Sequence, residues 1–279
     1  MTRREKTRLV LNRLRERIPR AETELAFRNP FELLVAVVLS AQCTDKRVNM
    51  VTPALFEAYP TPEAMARAEP EDLFPLIRSV SYPNNKAKAL AGLARRLVED
   101  FGGEVPRAHA DLVSLPGVGR KTANVVVSVA FDEPALAVDT HVFRVANRIG
   151  LVREASTPRA VEEKLARVIP KAEWGEAHHL LILHGRYTCL ARAPRCEACP
   201  LPDVCDHAAA LARLPAPRAG LDAARGRYYC ATNRRYFDDP VTVTDRQGVE
   251  QLAEPRSGST LVFDTRTGRT TRRARDYRI

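Results

Sequence analysis

Four of the six cysteines in this 279-residue chain lie within 17 residues of one another, at Cys189, Cys196, Cys199 and Cys205. We call residues 189–205 the cysteine loop. Four thiolates in one short stretch can hold a tetrahedral zinc ion or a [4Fe–4S] cluster, and the spacing does not choose between them. The charged N-terminus lacks the apolar core of a signal peptide, which disfavours a disulfide framework. The loop therefore predicts a metal or iron–sulfur centre.

A glycine hairpin lies between two predicted helices in residues 115–123 (LPGVGRKTA). Its glycines permit backbone conformations barred to other residues, so the N–H groups of the hairpin and of the second helix could approach a phosphate. Such a helix-hairpin-helix binds the DNA backbone without reading base sequence. An ordinary turn between two helices shows the same Gly-x-Gly pattern, so the motif alone leaves both interpretations open.

Lys121 and Asp139 are the candidate reactive side chains. Lys121 falls in the first turn of the second helix, where the helix dipole and Arg120 both favour the neutral amine. A neutral lysine is a nucleophile that can form a Schiff base with a sugar carbon, and a carboxylate can stabilise a cation or accept a proton. Taken alone, each residue has a simpler explanation. Lys121 would be a solvated phosphate contact, and Asp139 a helix N-cap.

Composition favours a helical protein with a polyanionic partner. Aromatic residues make up 6% of the chain and glycines number 13, which disfavours a β-sandwich or barrel. The net charge of +10 suggests nucleic acid, although many solvated surfaces are also basic. The longest apolar run, residues 33–39, has seven residues where a membrane span needs about 20. We therefore expect a soluble, cytoplasmic protein.

Hydrophobic periodicity and capping residues predict an almost all-α chain as far as His207. A helix opened by Asn29-Pro30 is expected to bury one face, formed by Phe31, Leu34, Val35 and Val38. The other predicted helices span residues 2–17, 87–101, 112–115, 121–130, 141–148, 158–168 and 176–183.

The chain changes character after His207. Residues 208–279 hold 14 arginines, no lysine and eight acidic residues, and three short runs there (228–232, 241–244 and 260–263) have strand-like composition. We predict a small β-rich appendage or a partly ordered arm. It could extend the DNA footprint, bind a protein partner, or be a solvated tail.

Four sequence blocks together resemble the endonuclease III family of bifunctional DNA glycosylases, within the helix-hairpin-helix superfamily. The blocks are 38–45 (VLSAQCTD), 115–127 with the hairpin, 137–144 (AVDTHVFR), and 183–205 with the cysteine loop. They occur in the family's order and spacing, and the resemblance covers roughly residues 1–207.

This resemblance implies a mostly α, two-domain helix-hairpin-helix glycosylase fold. A six-helix barrel would occupy residues 23–133, and a second helical domain would combine residues 1–22 with 134–207. In that second domain the four cysteines would hold a [4Fe–4S] cluster with a structural or redox-sensing role. DNA would bind between the domains with the damaged base flipped out of the stack. The extension, residues 208–279, has no counterpart in the minimal family.

The resemblance also implies a reaction. Lys121 would attack C1′ of the damaged nucleotide, expel an oxidised pyrimidine and leave a Schiff base, and β-elimination would then cut the strand 3′ to the abasic site. Asp139 would activate Lys121 or stabilise the cationic sugar. The expected partner is double-stranded DNA with oxidised pyrimidines or abasic sites, bound by a monomer away from any membrane.

Predicted DNA contacts follow from the same resemblance. Gln42 matches the family residue that fills the hole left by the flipped base. The other candidates lie in the hairpin and among the arginines: Leu115, Gly117, Val118, Gly119, Arg120, Arg144, Arg186, Arg192 and Arg195. Solubility alone could explain the arginines around the cysteine loop.

One loop departs from the family pattern. The usual Leu-Tyr-Asn loop is replaced by residues 81–86 (SYPNNK), which puts Tyr82 where a leucine would wedge into the duplex. An aromatic side chain there could stack on bases, and Pro83 should stiffen the loop. Alternatively, Tyr82 packs internally and Asn84 or Asn85 reaches the DNA.

Two rival functions stay open at this point. Adenine-specific relatives in the superfamily lack a lysine at the position of Lys121 and carry a catalytic glutamate where this chain has Val37, so both differences argue against that function. A non-catalytic damage sensor would keep the fold and the cluster but not turn DNA over.

Overall fold

The computed structural model describes residues 1–153, 155–191, 194–213, 227–230, 235–244, 250–253 and 262–264. Their mostly helical structure confirms the predicted fold class. The α-helices are α1 Arg3–Arg17, α2 Pro30–Leu39, α3 Asp45–Ala58, α4 Pro62–Ala66, α5 Pro70–Ile77, α6 Pro83–Phe101, α7 His109–Ser114, α8 Arg120–Phe131, α9 Thr140–Ile149, α10 Pro158–Ala166, α11 Trp174–Tyr187 and α12 Asp206–Arg213. The short strands are β1 Tyr228–Cys230, β2 Arg235–Phe237, β3 Val241–Thr244, β4 Glu250–Ala253 and β5 Val262–Asp264.

The chain divides into two compact units. The first comprises Met1–Asn147 with Leu151–His184, and the second comprises Arg148–Gly150 with Gly185–Ile279. The domain boundaries expected from the family resemblance, at residues 23–133, 134–207 and 208–279, stay predictions.

Helix α2 forms the centre of the first unit. Residues 31–39 are all buried, whereas the sequence pattern predicted a single buried face. The difference arises because α3, α6 and α8 all pack against α2, and a helix that is apolar all round suits such enclosure. The polar exception, Glu32, is paired with Arg28 at 2.6 Å. This central helix ends at Leu39, just before the loop that carries Gln42.

Helix α6 begins four residues earlier than its sequence pattern predicted, at Pro83 rather than at residue 87. Proline is well suited to the first helical position, because its fixed φ is helical and its missing N–H would have no helical partner there. The predicted end at Gly102 is confirmed, with φ 61° at that glycine. Helix α6 packs on α4 and α5 and thereby fixes the loop that carries Tyr82.

The second unit contains the described part of the C-terminal extension. Strand β1 pairs antiparallel with β2 on one side and β5 on the other, and β3 pairs antiparallel with β4. These strands agree with the predicted β-rich character of the extension. None of the helices in the described part of the chain combines the length and the hydrophobicity that a transmembrane segment needs.

Candidate functional site

The glycine hairpin joins α7 to α8 through two structurally different glycines. Gly117 has φ 77°, and a Cβ there would lie 2.9 Å from Cβ of Ala89, so both conformation and space require glycine. Gly119 has an ordinary φ of −93°, and a Cβ there would meet no atom within 4 Å. Leu115 and Val118 are 2% and 6% exposed and anchor the hairpin in the core. The exposed surface of the hairpin is therefore largely backbone, as phosphate binding requires.

Helix α8 begins directly after the hairpin without a side-chain cap. Gly119 is its N-cap residue and offers no side chain to the first N–H groups of the helix. Those groups carry the positive end of the helix dipole and suit an anion. Lys121, in the first turn, is exposed.

Asp139 caps helix α9 and is also held as an anion. Its Oδ1 accepts hydrogen bonds from the backbone N–H groups of His141 and Val142, both at 2.8 Å, and its Oδ2 accepts one from His141 Nδ1 at 3.0 Å. Burial alone would raise the pKa of this carboxyl, but the hydrogen bonds from His141 and Val142 outweigh burial and hold the pKa well below its usual range. The predicted N-cap role and the predicted ionised carboxylate therefore coexist.

Two buried side chains fix the backbone that leads into Asp139. Nδ1 of His178 donates to the carbonyl oxygen of Ala137 at 2.6 Å, and Nδ2 of Asn124 donates to that of Leu136 at 3.0 Å. Burial lowers the pKa of His178 to about 3, so its imidazole is neutral at physiological pH. The charges of both Asp139 and Lys121 also act on this imidazole. The two candidate reactive residues thus lie within electrostatic reach of one buried ring.

The loops that carry Gln42 and Tyr82 are joined by side-chain hydrogen bonds. Ser81 Oγ donates to the carbonyl oxygen of Gln42 at 2.7 Å, and Lys86 Nζ donates to the carbonyl oxygens of Leu39 and Ala41, each at 2.7 Å. The Tyr82 side chain is 61% exposed, which contradicts the alternative that it packs internally. Gln42, Asn84 and Asn85 are exposed as well.

The cysteine loop is organised around Arg148 at the end of α9. The Arg148 guanidinium donates to the carbonyl oxygens of Leu190 and Ala191 at 2.6 and 2.8 Å and to Cys189 Sγ at 3.7 Å. In return, Cys205 Sγ donates to the Arg148 carbonyl oxygen at 3.6 Å. A buried arginine, 6% exposed, therefore ties both ends of the loop to one helix terminus.

The four thiols of the cysteine loop influence one another electrostatically. Burial, together with the sulfurs of Cys205, Cys189 and Cys196, raises the pKa of Cys199 to about 11. All four cysteines of the loop are free thiols, and in the described part of the chain no three His, Cys, Asp or Glu side chains are placed as ligands of one metal ion. Four cysteines whose thiols act on one another electrostatically nevertheless supply the number and type of donors that an iron–sulfur cluster needs.

Comparison with known proteins identifies the family. The model of the HhH-GPD superfamily of base excision DNA repair proteins matches residues 35–171. Endonuclease III of Bacillus subtilis strain 168 is 52% identical over 195 residues, which cover 70% of this chain and 89% of that protein. This chain belongs to the endonuclease III family. Endonuclease III of Escherichia coli K12 is 48% identical over 198 residues, which cover 71% of this chain and 93% of the relative.

Solved structures of endonuclease III agree with this assignment. A trapped covalent endonuclease III–DNA intermediate, described as an estranged-adenine complex, superposes with a TM-score of 0.73 at 48% identity and covers 76% of this chain and all of that one. A non-covalent endonuclease III–DNA complex matches equally well. The chain is accordingly a base excision repair enzyme, a DNA glycosylase with AP lyase activity. A non-catalytic sensor and an adenine or mismatch glycosylase are not favoured.

The predicted arginine contacts occupy different environments. Arg120 is half-exposed and pairs with Glu162 at 2.5 Å. Arg144 and Arg186 are partly buried, Arg195 is exposed, and Arg192 lies outside the described residues. For this endonuclease III family member, every arginine contact with DNA stays a prediction.

Sequence reasoning missed several residues that position the site. His178, Lys86 and Arg148 each bind backbone carbonyls that are at least 41 residues away along the chain. No local pattern marks such contacts. One signal could have singled them out. It is a histidine or a charged residue that falls on a helix face predicted to be buried, among apolar neighbours.

Proposed function

We propose that this enzyme removes oxidised pyrimidines from double-stranded DNA and cleaves the resulting abasic site, with Lys121 as nucleophile. The supporting observation is the Asp139 carboxylate, held as an anion by three hydrogen bonds, together with the exposed Lys121 at the start of α8. The charges of both residues act on the buried His178 imidazole. The lysine and the carboxylate have the two functions that Schiff-base chemistry at a sugar carbon needs.

The proposed reaction begins with base removal. The neutral Lys121 amine forms a bond to C1′ as the bond from C1′ to the base breaks, and the base leaves with the bonding electron pair and takes up a proton. Loss of the lysine proton and opening of the sugar ring leave an imine between Nζ and C1′. Removal of a C2′ proton then expels the 3′ phosphate, which cuts the strand.

In this reaction Asp139 supplies a fixed negative charge. Its carboxylate is held by three hydrogen bonds and remains ionised throughout the physiological range, so it can accept the lysine proton or stabilise the cationic sugar. Because the backbone before it is fixed by His178 and Asn124, the carboxylate is preorganised rather than recruited by substrate.

DNA binding is proposed to use the hairpin and the two exposed loops. The uncapped start of α8 with Gly117 and Gly119 would bind a backbone phosphate, which gives affinity without sequence preference. Gln42 would fill the space left by the flipped base, and Tyr82 would stack within the opened duplex. Both side chains are exposed, as these roles require.

The cysteine loop is proposed to hold a [4Fe–4S] cluster through Cys189, Cys196, Cys199 and Cys205. The bound cluster would supply structural order or redox sensitivity rather than hydrolysis. Arg148 would keep the ends of the loop together and place a positive charge beside the Cys189 sulfur. We further propose a monomer that acts in the bacterial cytoplasm on nucleoid DNA, with the Arg-rich extension as an added DNA contact.

Borohydride trapping tests this function directly. The parent, Lys121→Gln and the control Lys171→Gln, which alters an exposed lysine elsewhere in the first unit, are each incubated with a duplex carrying an oxidised pyrimidine or an abasic site. We expect covalent bands with the parent and Lys171→Gln on both duplexes and none with Lys121→Gln. A band with the parent on the abasic duplex alone would contradict the proposed base removal, and retained strand cleavage by Lys121→Gln would contradict the nucleophile.

A further inference from the structure

Gln42 and Tyr82 share a left-handed backbone conformation that residues other than glycine rarely adopt. Their φ angles are 54° and 56°, and in the described residues Asp132 is the one other residue besides glycine with a positive φ. For Tyr82 the restriction is greater, because it precedes Pro83. Such conformations cost free energy and persist when the surroundings over-determine them. The structure must therefore hold both loops in place.

Three hydrogen bonds from α6 and its preceding loop supply that restraint. Lys86 Nζ donates to the carbonyl of Leu39, the last residue of α2, and to that of Ala41 in the loop that follows, and Ser81 Oγ donates to the carbonyl of Gln42, all at 2.7 Å. Carbonyls at a helix C-terminus lack helical partners and favour a cation. Lys86 thus serves as a cap for α2, although it belongs to a different helix.

Lys86 lies at a position that is otherwise unfavourable for a charged side chain. It lies in the first turn of α6, where the helix dipole opposes a positive charge, and its residue is only 6% exposed. Burial lowers the pKa of its ammonium group, an effect that the neighbouring Cys43 partly offsets. An exposed polar residue would suit the start of α6 better. The two carbonyl contacts are thus what the buried lysine provides.

We propose that Lys86 and Ser81 are positioning residues that fix the Gln42 loop and the Tyr82 loop as one rigid unit, so that both side chains enter a duplex together. This inference rests on the proposed function. The rigid unit would matter when a base must be extruded from a stacked duplex, because the Gln42 and Tyr82 side chains must then enter the duplex together and in a fixed relative position. It would not matter for an abasic site in single-stranded DNA, where no stack is opened.

A merely structural role gives a different outcome. If the hydrogen bonds only stabilised the fold, their loss would lower the melting temperature and reduce all activities in proportion to the folded fraction. The proposed role instead separates two activities of the same folded protein. Base removal from duplex DNA would fall, and strand cleavage at a single-stranded abasic site would not.

The test uses Lys86→Met, which keeps the length of the side chain without its donors, and Ser81→Ala. Lys88→Met and Ser79→Ala are matched controls at exposed neighbouring positions. Lys86→Arg should restore function, because a guanidinium can donate to two carbonyls. Each protein is assayed for single-turnover base removal from an oxidised-pyrimidine duplex and for lyase activity on a single-stranded abasic oligonucleotide. A duplex with 2-aminopurine beside the lesion reports unstacking on binding.

We expect Lys86→Met to lose about tenfold or more in base removal from the duplex, since small misplacements have effects of that size. Its lyase activity on single strands should stay within about twofold of the parent, and its 2-aminopurine signal should fall. Ser81→Ala should show the same pattern more weakly, and it supplies the answer if Lys86→Met does not fold.

Equal losses in both activities, or unchanged 2-aminopurine signals in both variants, would overturn the inference. Because the fluorescence signal reports binding without turnover, it tests the two positioning residues even if the parent proves inactive on oxidised pyrimidines. Failure of the proposed function and failure of this inference are therefore distinguishable.

Discussion

The Nδ1 atom of His178 lies 2.6 Å from the carbonyl oxygen of Ala137, two residues before Asp139. A carbonyl oxygen only accepts, so the proton sits on Nδ1 and the ring is neutral, in keeping with a pKa lowered to about 3 by burial. The imidazole therefore supports the backbone that leads into Asp139, and it does not act as a proton carrier at neutral pH.

His178 should make the protein sensitive to acid. Unfolded histidine titrates near 6.5, so between pH 6.5 and about 3 the unfolded state binds a proton that the folded state excludes. The free energy of unfolding should fall as pH falls through this window, by up to about 1.4 kcal/mol per pH unit. His178→Asn, whose amide can still donate to Ala137, should lose less stability between pH 6.5 and 4.5 when measured by urea denaturation. Parallel pH profiles for parent and variant would contradict this assignment.

Asp139→Asn should separate the capping role from the chemical role. Asparagine is as good an N-cap as aspartate, so the free energy of unfolding of the variant should lie within about 1 kcal/mol of that of the parent. Base removal should fall by about 100-fold or more, because the fixed charge is lost. Thr157→Ala is the converse control: it removes the cap of α10, where Thr157 accepts from the N–H of Ala160 at 3.2 Å, and should lose stability while keeping activity. Comparable losses of activity in both variants would favour a purely structural Asp139.

Glu162 should compete with DNA for Arg120. The two side chains form an ion pair in which the guanidinium is 55% exposed, so the pair adds little to stability and can open. Glu162→Gln should therefore bind duplex DNA more tightly at low salt. Arg120→Ala should reduce the slope of log Kd against the logarithm of the salt concentration by the amount expected for the loss of about one phosphate contact. Glu163→Gln, which alters the neighbouring carboxylate paired with Arg159, serves as the control. An unchanged salt slope in Arg120→Ala would remove Arg120 from the DNA contacts.

Arg148 should be needed to retain the proposed iron–sulfur cluster. Arg148→Met loses the donors to the carbonyls of Leu190 and Ala191 and leaves the acceptor of the half-buried Leu190 without this partner. The purified variant should contain less iron and sulfide per chain and absorb less near 400 nm. Arg167→Met, an exposed arginine after α10, should match the parent. Full iron content in Arg148→Met would show that the cysteine loop does not depend on this arginine.

The extension should contribute to DNA affinity through charge. Helix α12 continues to Arg213, so a truncated protein should end there rather than at residue 207. Residues 214–279 retain 13 arginines and eight acidic residues, and their deletion should flatten the salt dependence of duplex binding. Identical slopes for the full chain and residues 1–213 would exclude the extension from the DNA footprint.

Local signals in the sequence predicted much of the helical framework. As predicted, Asn29 and Pro30 start α2 and Gly102 ends α6, each through contacts within five residues. The capping box of Thr2 and Glu5 that starts α1 is equally local. The start of α6 was missed, because a left-handed Tyr82 as N-cap leaves no recognisable capping residue.

The supporting contacts of the candidate site could not be predicted in the same way. The pairing of His178 with Ala137 and of Lys86 with Leu39 depends on packing between segments that are distant in the sequence. Likewise, the complete burial of α2 reflects three neighbouring helices that its own periodicity does not report. Sequence motifs thus indicated the candidate reactive residues, whereas the residues that support the backbone around them could be identified only from the fold.

The two glycines of the hairpin are required for different reasons. Gly117 is required by its own backbone conformation and by the proximity of Ala89, so any replacement is rejected when the chain folds. Gly119 has an ordinary conformation and open space around it, so an alanine there is compatible with a folded chain. If glycine is nevertheless retained at 119, the pressure comes from outside the protein, from the nucleic acid that must approach the backbone. Two glycines only two residues apart would then be retained for separate reasons. One is needed for a stably folded chain, and the other for binding the DNA that the enzyme repairs.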